Sequence, residues 1–198
     1  MLLRKSEIEK IVHNVSKRQE VRGGFIPSAV MLLFYEKHGE THLATIRRTV
    51  GATLHSGHMA FPGGKIDPDD ESSRAAAVRE TIEEVGVSPE RYEYVGEMGF
   101  FETLTSQHDA AAHVAWAPRP PRFKKNDFEV AEIIEIPVHI LYEQFRPDLD
   151  WGNQHDVMYL NFQYKPSDSG EVVNLWGLTA RVTHHFLQGL WQLAHHGD

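Results

Sequence analysis

Residues 61–87 constrain this chain more than any other stretch: Phe-Pro-Gly-Gly-Lys-Ile-Asp-Pro-Asp-Asp-Glu-Ser-Ser-Arg-Ala-Ala-Ala-Val-Arg-Glu-Thr-Ile-Glu-Glu-Val-Gly-Val. The pair Gly63-Gly64 lets the backbone turn sharply and lets a ligand approach main-chain groups. The segment that follows reads as a helix, with Gly86 placed to close it. Ala75, Val78, Ile82 and Val85 recur at helical spacing and predict an apolar face. Glu80 stands three and four residues before Glu83 and Glu84, so these carboxylates are expected on the other side. Like charges at that spacing cost a few tenths of a kcal/mol per pair, and Arg79, four residues before Glu83, offsets part of it. A divalent cation would offset far more, because Mg²⁺ takes one or two carboxylates together with substrate phosphate. A bare E-x-x-E-E is ordinarily a solvated acidic helix face. Here Gly-Gly, Arg and Gly-Val flank it at fixed offsets, and these independent constraints weigh against that ordinary reading.

The rest of the chain reads as a frame for this turn and helix. Residues 5–20 carry Ile8, Ile11, Val12 and Val15 at helical spacing, with Ser6 and Glu9 in a capping-box pattern and Gly23-Gly24 as the stop. Residues 27–36 form a continuous apolar run that reads as a buried strand, and residues 41–48 return as its hairpin partner. Strand character recurs at 92–102, 110–116, 129–136, 157–164 and 172–175. Pro118, Pro120 and Pro121 interrupt it, and residues 122–127 form a basic surface loop. A short helix is expected after Pro137 and a closing helix over 178–194, with Val182, Phe186, Leu190 and Leu193 on one face. The pattern is α/β: an antiparallel or mixed sheet with helices interspersed, in α/β/α layers.

A chain of 198 residues is long enough to bury a substantial core. Its net charge of −8 argues against nonspecific nucleic-acid binding, yet it does not oppose a phosphorylated small molecule, since a bound cation reverses the local sign. Cysteine is absent, which removes disulfides, thiol nucleophiles and thiolate metal sites. No apolar run approaches a signal sequence or a membrane span, so a cytoplasmic protein with no membrane partner is expected. The 13 histidines suggest zinc. However, His184-His185 and His195-His196 are adjacent rather than four apart, and H-E-x-x-H does not occur. No G-x-S-x-G nucleophile elbow is present either. The four tryptophans, Trp176 among them, are expected in the core.

Arg79, Glu80, Glu83, Glu84, Gly86 and Val87 resemble the Nudix box, G-x5-E-x7-R-E-U-x-E-E-x-G-U with U aliphatic, and Thr81 takes one aliphatic position. The spacer between Gly64 and Arg79, residues 65–78, is one residue longer than in that pattern. The lone glutamate of the pattern therefore falls on Glu71 counted back from Arg79, or on Asp70 counted forward from Gly64. Glu71 is favoured by residue type. The longer spacer after Phe-Pro-Gly-Gly resembles the coenzyme A diphosphatase branch of the Nudix hydrolases. Arg48-Thr49 through Phe61, Glu129-Val130-Ala131-Glu132 with Ile136-Pro137-Val138, and Trp176-Gly177-Leu178-Thr179-Ala180-Arg181 resemble further signatures of that branch. Thr53 departs from it, standing where the branch has an arginine.

The resemblance implies a Nudix-like α/β/α sandwich with a mixed central sheet over residues 25–198, and residues 1–24 as an N-terminal helix packed on it. It implies a pyrophosphohydrolase dependent on Mg²⁺ or Mn²⁺ that acts on a small-molecule nucleotide diphosphate. Coenzyme A or acyl-CoA would be cleaved to 3′,5′-ADP and 4′-phosphopantetheine. ADP-ribose, a dinucleotide polyphosphate or a nucleoside triphosphate is the alternative, and a non-catalytic binding domain of the same fold is a third reading. The implied metal ligands are Glu80, Glu83, Glu84 and the Gly64 carbonyl. Arg79 would orient the carboxylates. A box glutamate or Glu129 would be the general base. Arg47, Arg48 and Lys65 would contact substrate phosphates. Oligomeric state is left open, a homodimer included.

Overall fold

The computed structural model describes residues 1–15, 17–49, 58–103, 105–149, 158, 160–167 and 171–196. A long strand, β1 (Ile26–Lys37), runs through the centre. Its residues alternate between two buried faces. Ala29, Met31, Leu33 and Tyr35 point to one, and Val30, Leu32 and Phe34 to the other. That is why the strand reads as an unbroken apolar run.

β1 pairs in parallel with β6 (His108–Ala117) along its length, and β6 pairs antiparallel with β5 (Glu93–Glu102). On its other edge β1 pairs with β2 (Glu40–Arg48) over Phe34 to Lys37. Its first half, Ser28 to Val30, pairs instead with β4 (Gly63–Lys65). β2 takes β3 (Met59–Ala60) at Ile46 and Arg47, and β7 (Val130–Pro137) on its outer edge. The hairpin strands β1 and β2 thus splay apart, and residues 59–65 fill the wedge. The glycine turn therefore lies within the sheet, held by Met31 N–H donating to the Pro62 carbonyl at 2.8 Å. The sheet is mixed, as expected.

Helix α2 (Ser73–Val85) covers one face through Ala76, Ala77 and Val85. Helices α1 (Lys5–Asn14) and α4 (Gly177–His196) cover the other, with Ile8, Ile11, Val12, Val182, Phe186 and Leu190 in a second core. Between these, α3 (Val138–Tyr142) follows Pro137, and β8 (Asn161–Tyr164) pairs with β9 (Val173–Trp176).

Local details depart from the sequence reading. α1 ends at Asn14, well before Gly23-Gly24, and its box is built two residues earlier than Ser6 and Glu9. Arg4 is the N-cap, and its N–H donates to Glu7 at 2.7 Å. The α2 face is also rotated. Ile82 is 43% exposed, while Thr81 and Glu84 are fully buried beside Ala76 and Ala77. Two alanines in the contact face let the helix approach the strand alanines Ala29 and Ala111 closely. Thr81 fits an apolar site because its hydroxyl donates to the Ala77 carbonyl at 2.7 Å. Trp176 is 46% exposed and sits edge-on to His58, rather than packing in the core. The upstream residues 50–57, Thr53 and His55 among them, lie outside the described residues, as do Trp151 and most of the turn expected at 148–154.

Candidate active site

α2 starts at Ser72, whose hydroxyl accepts from the Ala75 amide at 3.1 Å, and stops at Gly86 in the left-handed conformation (φ 69°). The last carbonyls of a helix need partners. Two come from the loop before β7: the Lys124 amide donates to Val85 O at 2.9 Å and the Asn126 amide to Glu84 O at 3.0 Å. The helix is therefore fixed at both ends, with its second half aimed at the glycine turn.

Glu84 is the most deeply placed of the carboxylates, with no exposed surface. Its Oε2 accepts from the Gly63 amide at 2.8 Å. Its Oε1 pairs with Arg48 Nη2 at 3.1 Å but receives no hydrogen bond, while that nitrogen donates to the Gly63 carbonyl at 2.6 Å. Burial pushes the Glu84 carboxyl up to about 7, against the opposing pull of Arg48 and the Gly63 amide. The charges of Glu80 and Glu129 add to the rise, which places both in the electrostatic neighbourhood of Glu84.

The Glu80 side chain is 13% exposed and packs against Gly64 so closely that a Cβ there would sit 2.7 Å from the Glu80 carboxyl carbon. Burial raises its pKa, with Arg79 opposing. Glu83 is more open, at 53%. The three carboxylates thus grade from buried to exposed around the helix, instead of sharing one solvated face.

Arg79 ties the turn to the helix. Its Nε and Nη2 form a two-pronged contact with Asp70 at 3.1 and 2.9 Å. Nη2 also donates to the Lys65 carbonyl at 3.0 Å, and Nη1 to Glu80 at 2.9 Å and Glu83 at 3.3 Å. These anionic partners hold the guanidinium well above its usual range, Asp70 first. Arg79 in turn holds Asp70 below the usual carboxylate range. Asp70, not Glu71, is therefore the spacer carboxylate that reaches Arg79, and Glu71 points into solvent. Counting forward from the glycine turn gives this answer. Counting back from the helix misses it, because the extra residue lies after Asp70.

The remaining predicted residues are placed as follows. Glu129 is exposed, with its carbonyl accepting from the Thr49 amide at 2.9 Å. Arg48 lies behind the glycine turn as described. Arg47, its neighbour on β2, points to the opposite side. There it pairs with Glu132 at 3.3 Å and Glu171 at 3.2 Å, and lines a small cavity with His58, Met59 and Trp176. Lys65 is exposed one residue past Gly64.

Among the described residues, no three Asp, Glu or His side chains already converge at ligand spacing. The donor set nonetheless suits a hard cation. Glu84 Oε1 is a buried anionic oxygen without a hydrogen bond, and Glu80 lies against the carbonyl-bearing turn. The model of the NUDIX domain matches residues 25–162. Nudix hydrolase NudL of Yersinia pestis is 32% identical over 152 residues, which is 75% of this chain and 72% of NudL.

This chain belongs to the Nudix family. Nudix hydrolases are generally dependent on a divalent metal. Nudix hydrolase 22, chloroplastic, of Arabidopsis thaliana is 30% identical over 168 residues, 78% of this chain. The chain spans only 52% of that relative's length. Among solved structures, a MutT/nudix family protein from Enterococcus faecalis superposes with a TM-score of 0.55 over 98% of this chain and 76% of its own, at 14% identity. RenU, a Nudix hydrolase from M. smegmatis, gives 0.50 over 62% and 84%, at 17% identity. At those identities the likeness establishes the α/β Nudix fold alone. Among the described residues, no helix is long and apolar enough to cross a membrane.

Proposed function

We propose that this protein is a metal-dependent pyrophosphohydrolase acting on a nucleoside diphosphate linked to a second moiety, with coenzyme A or an acyl-CoA as substrate. The observation that carries the reaction class is Glu84. Its carboxylate has no exposed surface, and the oxygen that pairs with Arg48 at 3.1 Å accepts no hydrogen bond, which leaves a buried anionic oxygen with acceptor capacity for a cation. Glu84, Glu80, Glu83 and the Gly64 carbonyl would hold Mg²⁺ or Mn²⁺. The bound ion would screen phosphate oxygens and lower the pKa of water.

The chain's own groups supply the rest. Arg79 positions Glu80 and Glu83 by direct contact, and its charge favours the ionised form of Glu80. Glu129, exposed beside Glu84, is our general base and takes the proton from the attacking water. Lys65, exposed one residue past Gly64, would meet a substrate phosphate. Arg47 and Arg48 could do so only by giving up the ion pairs they now make. Water attacks one phosphorus of the diphosphate and the other phosphate departs. From coenzyme A this yields 3′,5′-ADP and 4′-phosphopantetheine.

Support for coenzyme A comes from the sequence. It rests on Phe61-Pro62-Gly63-Gly64 with its long spacer and on Trp176-Gly177-Leu178-Thr179-Ala180-Arg181. Thr53 keeps ADP-ribose and related diphosphates as the second reading. The test is a panel of coenzyme A, acetyl-CoA, ADP-ribose, diadenosine tetraphosphate and nucleoside triphosphates with Mg²⁺ or Mn²⁺, comparing wild type with Glu84→Gln. Turnover of coenzyme A that Glu84→Gln abolishes is expected. Inert coenzyme A with active ADP-ribose overturns the substrate, and no cleavage of any diphosphate overturns the enzyme.

A further inference from the structure

The loop between β6 and β7 carries Arg119, Arg122, Lys124 and Lys125 against a single acid before Glu129, in a chain whose net charge is −8. Its second half, from Phe123 on, is held by backbone and ring contacts. Phe123 packs edge-on against Tyr35 at 5.8 Å. The Lys124 and Asn126 amides bind the end of α2, and the Asn126 carbonyl accepts from Glu129 at 3.1 Å and Val130 at 2.8 Å. The Phe128 amide donates to the Asn126 side chain at 3.1 Å, and the Phe128 carbonyl accepts from the Thr49 hydroxyl at 2.9 Å.

On this fixed backbone the Phe128 side chain is 92% exposed, far more than any other large apolar residue among those described. A lone exposed phenylalanine is ordinary on a protein surface. Position distinguishes this one. It directly precedes Glu129 in a loop whose Asn126 amide binds the Glu84 carbonyl at 3.0 Å, and it shares that loop with Arg119, Arg122 and Lys124, while Lys125 pairs with Asp127. A flat ring left in water on a held turn forgoes the burial an apolar side chain normally finds. It also presents a stacking surface with no backbone entropy left to lose when a ligand arrives.

We infer that Phe128 is a specificity-determining residue that stacks on the purine base of the substrate, while the neighbouring cations of its loop attract the anionic nucleotide. The inference rests on reading the acidic site as a nucleoside-diphosphate hydrolase and names which part of the substrate the 118–129 loop holds. Every base has a π-face that can stack on an aromatic side chain. An aliphatic acyl chain would meet the same ring without needing its planarity.

The test uses Phe128→Ala and Phe128→Trp in the full chain. Both are expected to fold as wild type, because the side chain contributes almost no buried surface. On the adenine-containing diphosphate that wild type cleaves best, Phe128→Ala raises KM about tenfold with kcat within twofold, and Phe128→Trp restores KM. On the same diphosphate lacking its base, Phe128→Ala matches wild type. An unchanged KM on the adenine substrate overturns the inference, and so does an equal loss on the abasic one. A loss confined to long-chain acyl substrates assigns the ring to the acyl chain and also overturns it. Binding is read separately by titrating ADP without metal and following the emission Phe128→Trp adds to that of the four native tryptophans. Saturable quenching of the added emission supports the inference even where no diphosphate is hydrolysed, a result that would sink the enzyme reading alone. Absence of quenching overturns it.

Discussion

The two glycines of the turn are adjacent in sequence, yet they should fail in opposite ways when each is changed to alanine. A Cβ at Gly63 would lie 2.7 Å from Val30 Cα, with the carbonyl of Ala29 closer still. Ordinary contact needs about 3.4 Å or more, so β4 would have to move roughly 0.7 Å or further from β1. The obstructing atoms are backbone in the middle of the sheet, where Val30 and Gly63 pair, and they cannot rotate away. Overpacking of this kind costs about 1–3 kcal/mol, and each ladder hydrogen bond lost adds about 1 kcal/mol. Gly63→Ala should therefore lower stability by about 2–4 kcal/mol. At Gly64 the obstruction is the end of the Glu80 side chain, which can swing aside. Stability should change by less than about 1 kcal/mol, but the Glu80 carboxylate would shift by roughly 1 Å, and such misplacement costs about 100-fold in rate. Urea unfolding of both variants, kcat on the best substrate and Mn²⁺ binding followed by electron paramagnetic resonance separate the two outcomes. A Gly64→Ala enzyme with wild-type activity and Mn²⁺ affinity would refute the placement of Glu80 against the turn as a metal ligand. A Gly63→Ala protein as stable as wild type would refute the wedge geometry.

Other predictions follow from single side chains. Glu84→Gln removes a buried anion whose pKa is raised to about 7 from 4.5, so at pH 8 the metal-free protein should gain about 3 kcal/mol. Calorimetry should show that gain beside lost turnover and lost stabilisation by Mg²⁺. Asp70→Asn should weaken Mn²⁺ binding about 10- to 100-fold by releasing Arg79, while Glu71→Gln stays within about twofold. Equal effects would show that Arg79 does not depend on Asp70. His113 is buried between the Tyr94 hydroxyl at 3.0 Å and Ser73 Oγ at 3.1 Å, and burial lowers its pKa to about 4 from 6.5. A base with a depressed folded-state pKa stabilises fully above 6.5, and that contribution falls as pH drops from 6.5 towards 4, by about 3 kcal/mol in all. The stability difference between wild type and His113→Gln, measured by urea unfolding from pH 8 to 4.5, should shift against wild type as pH falls; a constant difference would show that His113 does not titrate in that range.

The sequence alone determined the elements and the chemistry they carry. The apolar run of β1 reads as a strand buried on both faces, and Arg79, Glu80, Glu83, Glu84, Gly86 and Val87 stand at the offsets of the Nudix box. Such signals are local, set by helical and strand periods and by residue type, and a linear text preserves them. The tertiary structure decided which way those groups face. The apolar stripe Ala75, Val78, Ile82 and Val85 pointed to one helix orientation, but alanines on helix and strand allow the close approach that buries Thr81 and Glu84 and leaves Ile82 in water. Asp70 prevailed over Glu71 because the path of the spacer, not its length, brings a carboxylate to Arg79. Arg47 and Arg48, neighbours in sequence, separated because a strand sends successive side chains to opposite faces. Where residues 59–65 enter the sheet depends on how far β1 and β2 splay. That distance is set by packing across the whole domain and is written in no short stretch of the chain.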